Sequence, residues 1–310
     1  SNIDLDNLKI QNSLELKNIF PQIKKNIILK NQKIKLKYEK DNLNIDGEGS
    51  VLIQNEIDKI KYKISSIKDE IKYNIDYVIL KNPFELDLIN YKKDIDSDLQ
   101  LNFQVKQNVN EKLRIFNISL KEKNNFINIQ NLALSNNNKI NDVRNININY
   151  TDKENLINNI KITKKDKDYL ISGHSFNIDS IIEKLLSSEN ELKLDILDKD
   201  IKLIIDIDKI YLDKNNITND LNGFFIIINN EISELNLESN FSNQKNIKLT
   251  IKNNGEEKIT TLFSYEAKPL VSRYKFIKGF EEGELDFYST KKNGTTKSIL
   301  KIDNFKIQEI

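Results

Sequence analysis

Apolar residues occupy every second position through most of this chain. Ile71, Tyr73, Ile75, Tyr77 and Ile79 are separated by Lys72, Asn74, Asp76 and Val78. Leu99, Leu101, Phe103 and Val105 repeat the spacing, and Leu113 and Ile115 give way to Ile118 and Leu120 across a one-residue slip at Phe116. The period recurs in Leu192, Leu194 and Ile196, in Ile201, Leu203, Ile205 and Ile207, in Leu235 and Leu237, and in Ile247, Leu249 and Ile251. Successive side chains of a strand point to opposite faces, so each run predicts a strand with one apolar and one polar face. The wealth of Ile, Val and Thr agrees, because β-branched side chains fit a pleated surface.

Short polar connections separate the runs: Asn136-Asn137-Asn138, Asp213-Lys214-Asn215-Asn216, Asn253-Asn254-Gly255 and Lys292-Asn293-Gly294. Asn and Gly tolerate the left-handed conformations that close hairpins, and turns at this spacing predict an antiparallel all-β arrangement rather than βαβ units. Helix signals are few. Asp179 is placed to cap Ser180 to Leu186, and Pro269 to Tyr274 has Pro early in the segment. The stretch Leu14 to Ile28 is undecided and carries Pro21. The expected fold is an elongated, curved antiparallel sheet with one or two short helices.

A sheet with one apolar face must cover it, since burial stabilises by ~25 cal/mol per Å2 of apolar area. A sandwich, a filled barrel and a half-pipe holding an apolar ligand all satisfy that demand. Alternation alone leaves packed core and groove both open. A membrane-spanning barrel needs aromatic girdles, and here aromatic residues make up 8 % of the chain and are scattered.

Composition narrows the chemistry. The chain has 310 residues with 48 Lys and Arg against 47 Asp and Glu, and cations alternate with Asp and Asn along the same segments. Nucleic-acid binding calls for a clustered basic excess, so no nucleic-acid partner is expected. There is no Cys and a single His, His174, which excludes disulfides and thiolate or His-rich metal sites. No metal and no cofactor is expected. The chain contains no Met, so Ser1 is expected to be an internal point of a longer protein. No run approaches the ~18 apolar residues that span a bilayer.

Candidate catalytic features weigh little. His174 has no nucleophile declared near it in sequence and reads as a surface turn residue. Asp94-Ile95-Asp96-Ser97-Asp98 has the acidic spacing of a calcium loop without its Gly and distal Glu, and reads as a solvated strand edge. Asp206 and Asp208 fall on the polar face of a strand. Gly279 and Gly283 bracket an acidic turn leading into a strand, where a phosphate cradle needs a helix. No enzyme is expected.

The C-terminal half adds a resemblance. It runs from Ile171-Ser172-Gly173-His174 into the Asp179 helix, then through Leu203-Ile204-Ile205-Asp206-Ile207-Asp208 and Leu235-Asn236-Leu237. It continues with Phe263-Ser264-Tyr265-Glu266-Ala267-Lys268-Pro269-Leu270-Val271, then Gly283-Glu284-Leu285-Asp286-Phe287 and the closing Ile302-Asp303-Asn304-Phe305-Lys306-Ile307. Over about residues 165–310 this order resembles the C-terminal region of the AsmA-like family of bacterial envelope lipid-transfer proteins. It departs from that family at Tyr265 to Pro269, which replace an Asp-Ala-Gly pattern, and at Glu281-Glu282-Gly283, which keeps one Gly of a pair.

The resemblance implies a U-shaped sheet whose apolar channel carries phospholipid between inner and outer membranes. It implies a periplasmic location, an inner-membrane anchor outside this chain, and membrane-protein partners at either end. Residues 1–165 then form a β-rich groove segment and 166–310 the family-type segment. The candidate lining is Ile71, Tyr73, Ile75, Leu99, Leu101, Phe103, Leu192, Leu194, Leu203, Ile205, Leu235, Leu237, Leu249 and Ile251, and the same residues suit a dry core. The alternative is a structural or adhesive β-solenoid or sandwich at the cell surface with a packed interior. A continuous apolar interior left open to solvent supports the groove, and a filled one the alternative.

Overall fold

In the computed structural model the chain is all-β, with strands that are almost entirely antiparallel and two short helices. The structure describes residues 1–12, 16–40, 42–108, 114–135, 137, 139–186, 197–242, 244–272 and 279–308, and at 88 and 183–186 the backbone alone. Two compact units divide the chain, Ser1–Asn155 and Leu156–Ile310.

The first unit contains β1 (Asn2–Gln11), β2 (Asn26–Glu39), β3 (Asn42–Leu52), β4 (Asp58–Ile67), β5 (Glu70–Ile79), β6 (Glu85–Leu86), β7 (Tyr91–Lys92), β8 (Leu99–Asn108), β9 (Arg114–Glu122), β10 (Asn125–Leu134), β11 (Ile140–Asp142) and β12 (Asn145–Thr151). Antiparallel neighbours follow the order β1-β2-β3-β4-β5-β8-β9-β10-β12, and β11 pairs with the end of β10. Strands β6 and β7 pair with each other inside the insertion that joins β5 to β8.

Register converts the alternation into apolar rows that run across the strands. One row reads Ile3, Ile34, Gly47, Tyr62, Ile75, Phe103, Ile118, Ile129 and Ile146. Gly47 is the gap in it, and the Tyr62 ring fills that gap, since a Cβ there would lie 2.1 Å from the ring. The opposite face carries Asp4, Lys33, Glu48, Lys61, Asp76 and Asn102 in one row, so charges meet opposite charges between neighbours. Lys61 and Glu48 approach to 3.2 Å and both stay exposed. Such pairs contribute little energy but disfavour other registers. The slip expected at Phe116 is a bulge: Gln104 faces Asn117 and Val105 faces Ile115, which leaves Phe116 without a partner on β8.

The second unit contains β13 (Ile157–Lys165), β14 (Asp168–Asn177), α1 (Asp179–Leu186), β15 (Ile201–Tyr211), β16 (Ile217–Ile228), β17 (Glu231–Asn240), β18 (Asn246–Asn253), β19 (Glu257–Ser264), α2 (Lys268–Val271), β20 (Phe280–Lys292) and β21 (Thr295–Ile307). Its strands pair in chain order, antiparallel except for β14 with β15. That parallel pair needs a crossover, which the segment containing α1 provides. A row reads Ile162, Ile171, Ile205, Gly223, Leu237, Leu249, Leu262, Phe287 and Leu300.

Local expectations fare unevenly. Helix α1 begins at Asp179 itself, and α2 begins at Lys268, one residue before Pro269. Gly283 does not close a turn but lies within β20, where Glu282 faces Phe305 and Glu284 faces Asp303. Residues 16–25 form turns, not helix. Leu113, Leu192, Leu194 and Ile196 lie outside the described residues.

Gly223 has φ +139°, and a Cβ there would sit 2.0 Å from the Asn236 carbonyl oxygen. Gly223→Ala is therefore expected to lower stability by ~2 kcal/mol or more. Denaturant midpoints of the two proteins check this, and equal midpoints contradict it.

Candidate ligand groove

The apolar face of the first unit is dry along one flank and half-open elsewhere. On the dry flank Ile79 and Leu99 are fully buried, with Tyr77, Leu101 and Leu120 buried beside them. The insertion 80–98 covers this flank. Its Phe84 and Tyr91 join Phe20, Tyr77 and Tyr150 in a chain of ring contacts with centroids 5.5–6.3 Å apart. Edge-on and tilted contacts of this kind suit the ring quadrupoles.

Two buried carboxylates hold the insertion to the sheet. Asp58, at the start of β4, accepts hydrogen bonds from the Tyr77 hydroxyl at 2.6 Å, the Asn82 amide at 2.7 Å and the Leu80 N–H at 2.9 Å. Glu122, at the end of β9, accepts from the Tyr91 hydroxyl at 2.6 Å, from the Asp94 N–H at 2.8 Å and from the Ser97 hydroxyl. Both side chains are almost wholly removed from water, and neither makes an ion pair among the described residues. A buried charge without a counter-ion needs a full set of donors. The two feet of the insertion supply them. Buried Gln54 adds a third tie, accepting from Gln22 N–H and donating to the Pro83 carbonyl. Burial, and then the hydrogen bond to Asp58, holds the Tyr77 phenol well above the usual tyrosine range, and burial and Glu122 do the same for Tyr91.

Away from this flank the same face is less buried among the described residues. Ile71, Tyr73 and Ile75 on β5 and Phe103 and Val105 on β8 are half-buried, as are Ile118, Ile129 and Ile146 further along. In the second unit the pattern repeats. Helix α2 buries Leu270 and Val271 against Phe280 and Leu285, and Ile232, Leu235 and Ile251 form a second dry cluster. Leu237, Leu249, Leu262 and Phe287 between them stay half-buried.

Every described candidate lining residue lies on the apolar face of its unit. Ile71, Tyr73, Ile75, Leu99, Leu101 and Phe103 come together across the β5–β8 pair. Ile205, Leu237 and Leu249 share one row, and Leu203, Leu235 and Ile251 the next. The two groups differ in cover: Leu99, Leu101, Leu203, Ile205, Leu235 and Ile251 are buried and belong to packed regions, whereas Ile71, Tyr73, Ile75, Phe103, Leu237 and Leu249 remain half-open. Ile118, Ile129, Ile146, Leu262 and Phe287 complete the rows. They alternate too, but only register shows which face of the strand they take.

No protein family, curated protein or solved structure matches this chain.

The remaining candidates show no reactive arrangement. His174 lies within β14, not in a turn, and its Nδ1 is 3.3 Å from Asp208 Oδ2 with both side chains largely exposed. No hydroxyl bonds the ring among the described residues. Asp94 to Asp98 form a turn before β8 rather than a strand edge, and Asp94 pairs with Lys123 at 2.5 Å. Asp206 is exposed on the polar face of β15. Among the described residues no cluster of His, Asp and Glu could hold a metal, and no helix is long and apolar enough to cross a membrane.

Asp58→Ala strands three donors and is expected to cost about 1–3 kcal/mol per unsatisfied group. Faster amide exchange in 80–98 than in β2–β4 is the expected readout, and uniform exchange contradicts the latch. A phenol held above its ordinary value contributes stability that is complete below about pH 10 and is lost as pH rises past it. The melting temperature should accordingly fall more steeply above pH 10 in the wild type than in a Tyr77→Phe, Tyr91→Phe double variant, and parallel profiles contradict this.

Proposed function

We propose that the half-open apolar rows bind the acyl chains of phospholipid and pass them along the sheet without covalent chemistry, between the inner and outer membranes of a bacterial envelope. The observation that carries this reading is the partial exposure of the middle rows among the described residues. A packed core removes its residues from water, yet Ile75, Phe103, Leu237, Leu249 and Phe287 all keep partial exposure among the described residues. At ~4.8 Å between strands, nine strands carry a row across ~38 Å. That is longer than the ~15 Å that an acyl chain covers in one leaflet of a ~30 Å hydrocarbon core. The rows are aliphatic and aromatic, with no charge on them, so they suit chains and leave headgroups to the wet rim. The resemblance of residues 165–310 to the AsmA-like family supports the same reading and with it the envelope location and membrane-protein partners.

The dry clusters under the insertion and under α2 favour a purely structural role for those flanks, as in a packed surface protein. Leu262 and Phe287 pack against the cluster under α2, and Leu237 and Leu249 against Ile232, Leu235 and Ile251, yet all four stay only partly buried. This also decides where a test belongs. Leu203 and Ile205 are each 8 % exposed, so a charge there would unfold the sheet rather than report on binding.

Leu249→Glu places a carboxylate on the half-open row. The variant is expected to bind a fluorescent long-chain fatty acid at least about tenfold more weakly, equivalent to ~1.4 kcal/mol, with wild-type circular dichroism. Undiminished binding by the folded variant would sink the groove reading.

A further inference from the structure

Strand β1 pairs with β2 alone among the described residues. Its outer edge therefore presents unpaired backbone N–H and C=O groups, the usual template for another strand. Ser1 and Leu36 exchange both backbone hydrogen bonds. Ile3 and Leu5 therefore also turn their backbone groups inward to β2, and Asn2 and Asp4 turn theirs outward. The ladder then skips Asp6 and Asn31, where Asn31 has φ +50°. Beyond the skip the alternation resumes out of step. The Asn12 N–H donates to the Lys25 carbonyl at 2.7 Å, so the backbone groups of Leu8 and Ile10 face β2 and those of Asn7, Lys9 and Gln11 point outward. The Gln32 amide agrees with this: it donates to the carbonyls of both Lys30 and Ser50, so Lys30, opposite Asn7, turns to β3.

That break makes β1 complementary to itself. A regular strand meets its own copy across a two-fold axis only with odd positions opposite odd ones and even opposite even. Here the outward even positions before Asp6 can meet the outward odd positions after it. The apolar side chains keep one face through the break. Ile3 stands beside Ile34 and Leu8 beside Leu29, and their next neighbours, Gly47 and Val51, share a face of β3. Ile3, Leu8 and Ile10 are 43–44 % exposed and Leu5 is half-buried. On the other face Asp4 and Lys9 are exposed and make no ion pair among the described residues. Like charges opposite one another destabilise a ladder and opposite charges support it.

We propose that two copies of this chain pair through β1, antiparallel about a two-fold axis between Asp6 and Asn7. Asn2 then faces Gln11 of the second copy and Asp4 faces its Lys9, each as a hydrogen-bonded pair of outward backbone groups. Between them Ile3 faces Ile10 and Leu5 faces Leu8, in the non-hydrogen-bonded pairs where side chains come closest. The apolar face of one first unit continues into that of the other. A shift of two residues in either direction parts Asp4 from Lys9 and sets Leu5 against Asp6 or Leu8 against Asn7, so one register is selected. The contact joins the same surface of both copies and closes as a dimer. It stands whether or not the rows hold lipid.

Sedimentation velocity of the purified chain over a concentration series at low salt tests this. The mean mass of the wild type is expected to rise with concentration to a plateau at twice that of one chain. Asp4→Lys sets lysine against lysine in both charge pairs, and Lys9→Asp sets aspartate against aspartate. Each variant alone should dimerise at least about tenfold more weakly, with unchanged circular dichroism. An equimolar mixture should regain the wild-type affinity, because each variant supplies the charge that the other lacks. A wild type that is monomeric throughout overturns the proposal. So does undiminished dimerisation by either variant alone, which would mean that another surface joins the copies. A mixture that associates no better than its components overturns it as well.

Discussion

The structure depends on keeping a two-residue period in register over many strands. A one-residue shift of any strand would turn its Ile and Leu side chains into water and its Lys and Asp side chains onto the apolar face. Each local irregularity is therefore matched by a device that restores the faces. At Asn31 and Gln32, β2 inserts an extra residue against Gly49. The Gln32 amide then donates to the Lys30 and Ser50 carbonyls. A Cβ on Gly49 would meet that amide at 2.3 Å, so the glycine and the bulge require each other. Phe116 plays the same part on β9, leaving Ile115 and Ile118 on one face in spite of their odd spacing.

Dryness is distributed unevenly over that face, and the polar chemistry follows it. Where the insertion 80–98 lies on the sheet, aromatic rings fill the space and the chain ends of the insertion bring neutral donors to Asp58 and Glu122. Two carboxylates out of water would be a defect without those donors, so the insertion and the carboxylates stabilise one another. Away from the insertion, the two long rows of the described residues hold no charged side chain, and the charges of the neighbouring row lie on the opposite face. A face that is buried at one flank and partly exposed along its middle, among the described residues, is what the proposed trough for an apolar ligand needs.

Strand positions were legible because period and β-branching are local properties. So was the slip at Phe116, since a break in alternation is visible wherever it occurs. Both helices were placed within a residue at their starts by a capping Asp and an early Pro. The rows were not legible: nothing in Ile75 or Leu249 names the residue across the ladder, which hairpin geometry and bulges decide. The insertion 80–98 was not legible for a related reason. Its signals, Phe84 and Tyr91 with Asp58 and Glu122, are far apart in the chain, and Asp94 to Asp98 read as a solvated edge because their partner Glu122 is out of local view. His174 was misplaced as a turn because Gly173 precedes it. That glycine instead serves close approach, since a Cβ there would lie 2.2 Å from the Asn159 carbonyl.

The central claim is that the middle of the apolar face is a ligand site rather than an unfinished core. Native mass spectrometry of the chain purified from a bacterial periplasm, followed by lipid extraction, tests it most directly. The account predicts discrete mass additions that extract as phospholipid. A folded protein that flies at its bare mass, with nothing in the extract, would contradict it.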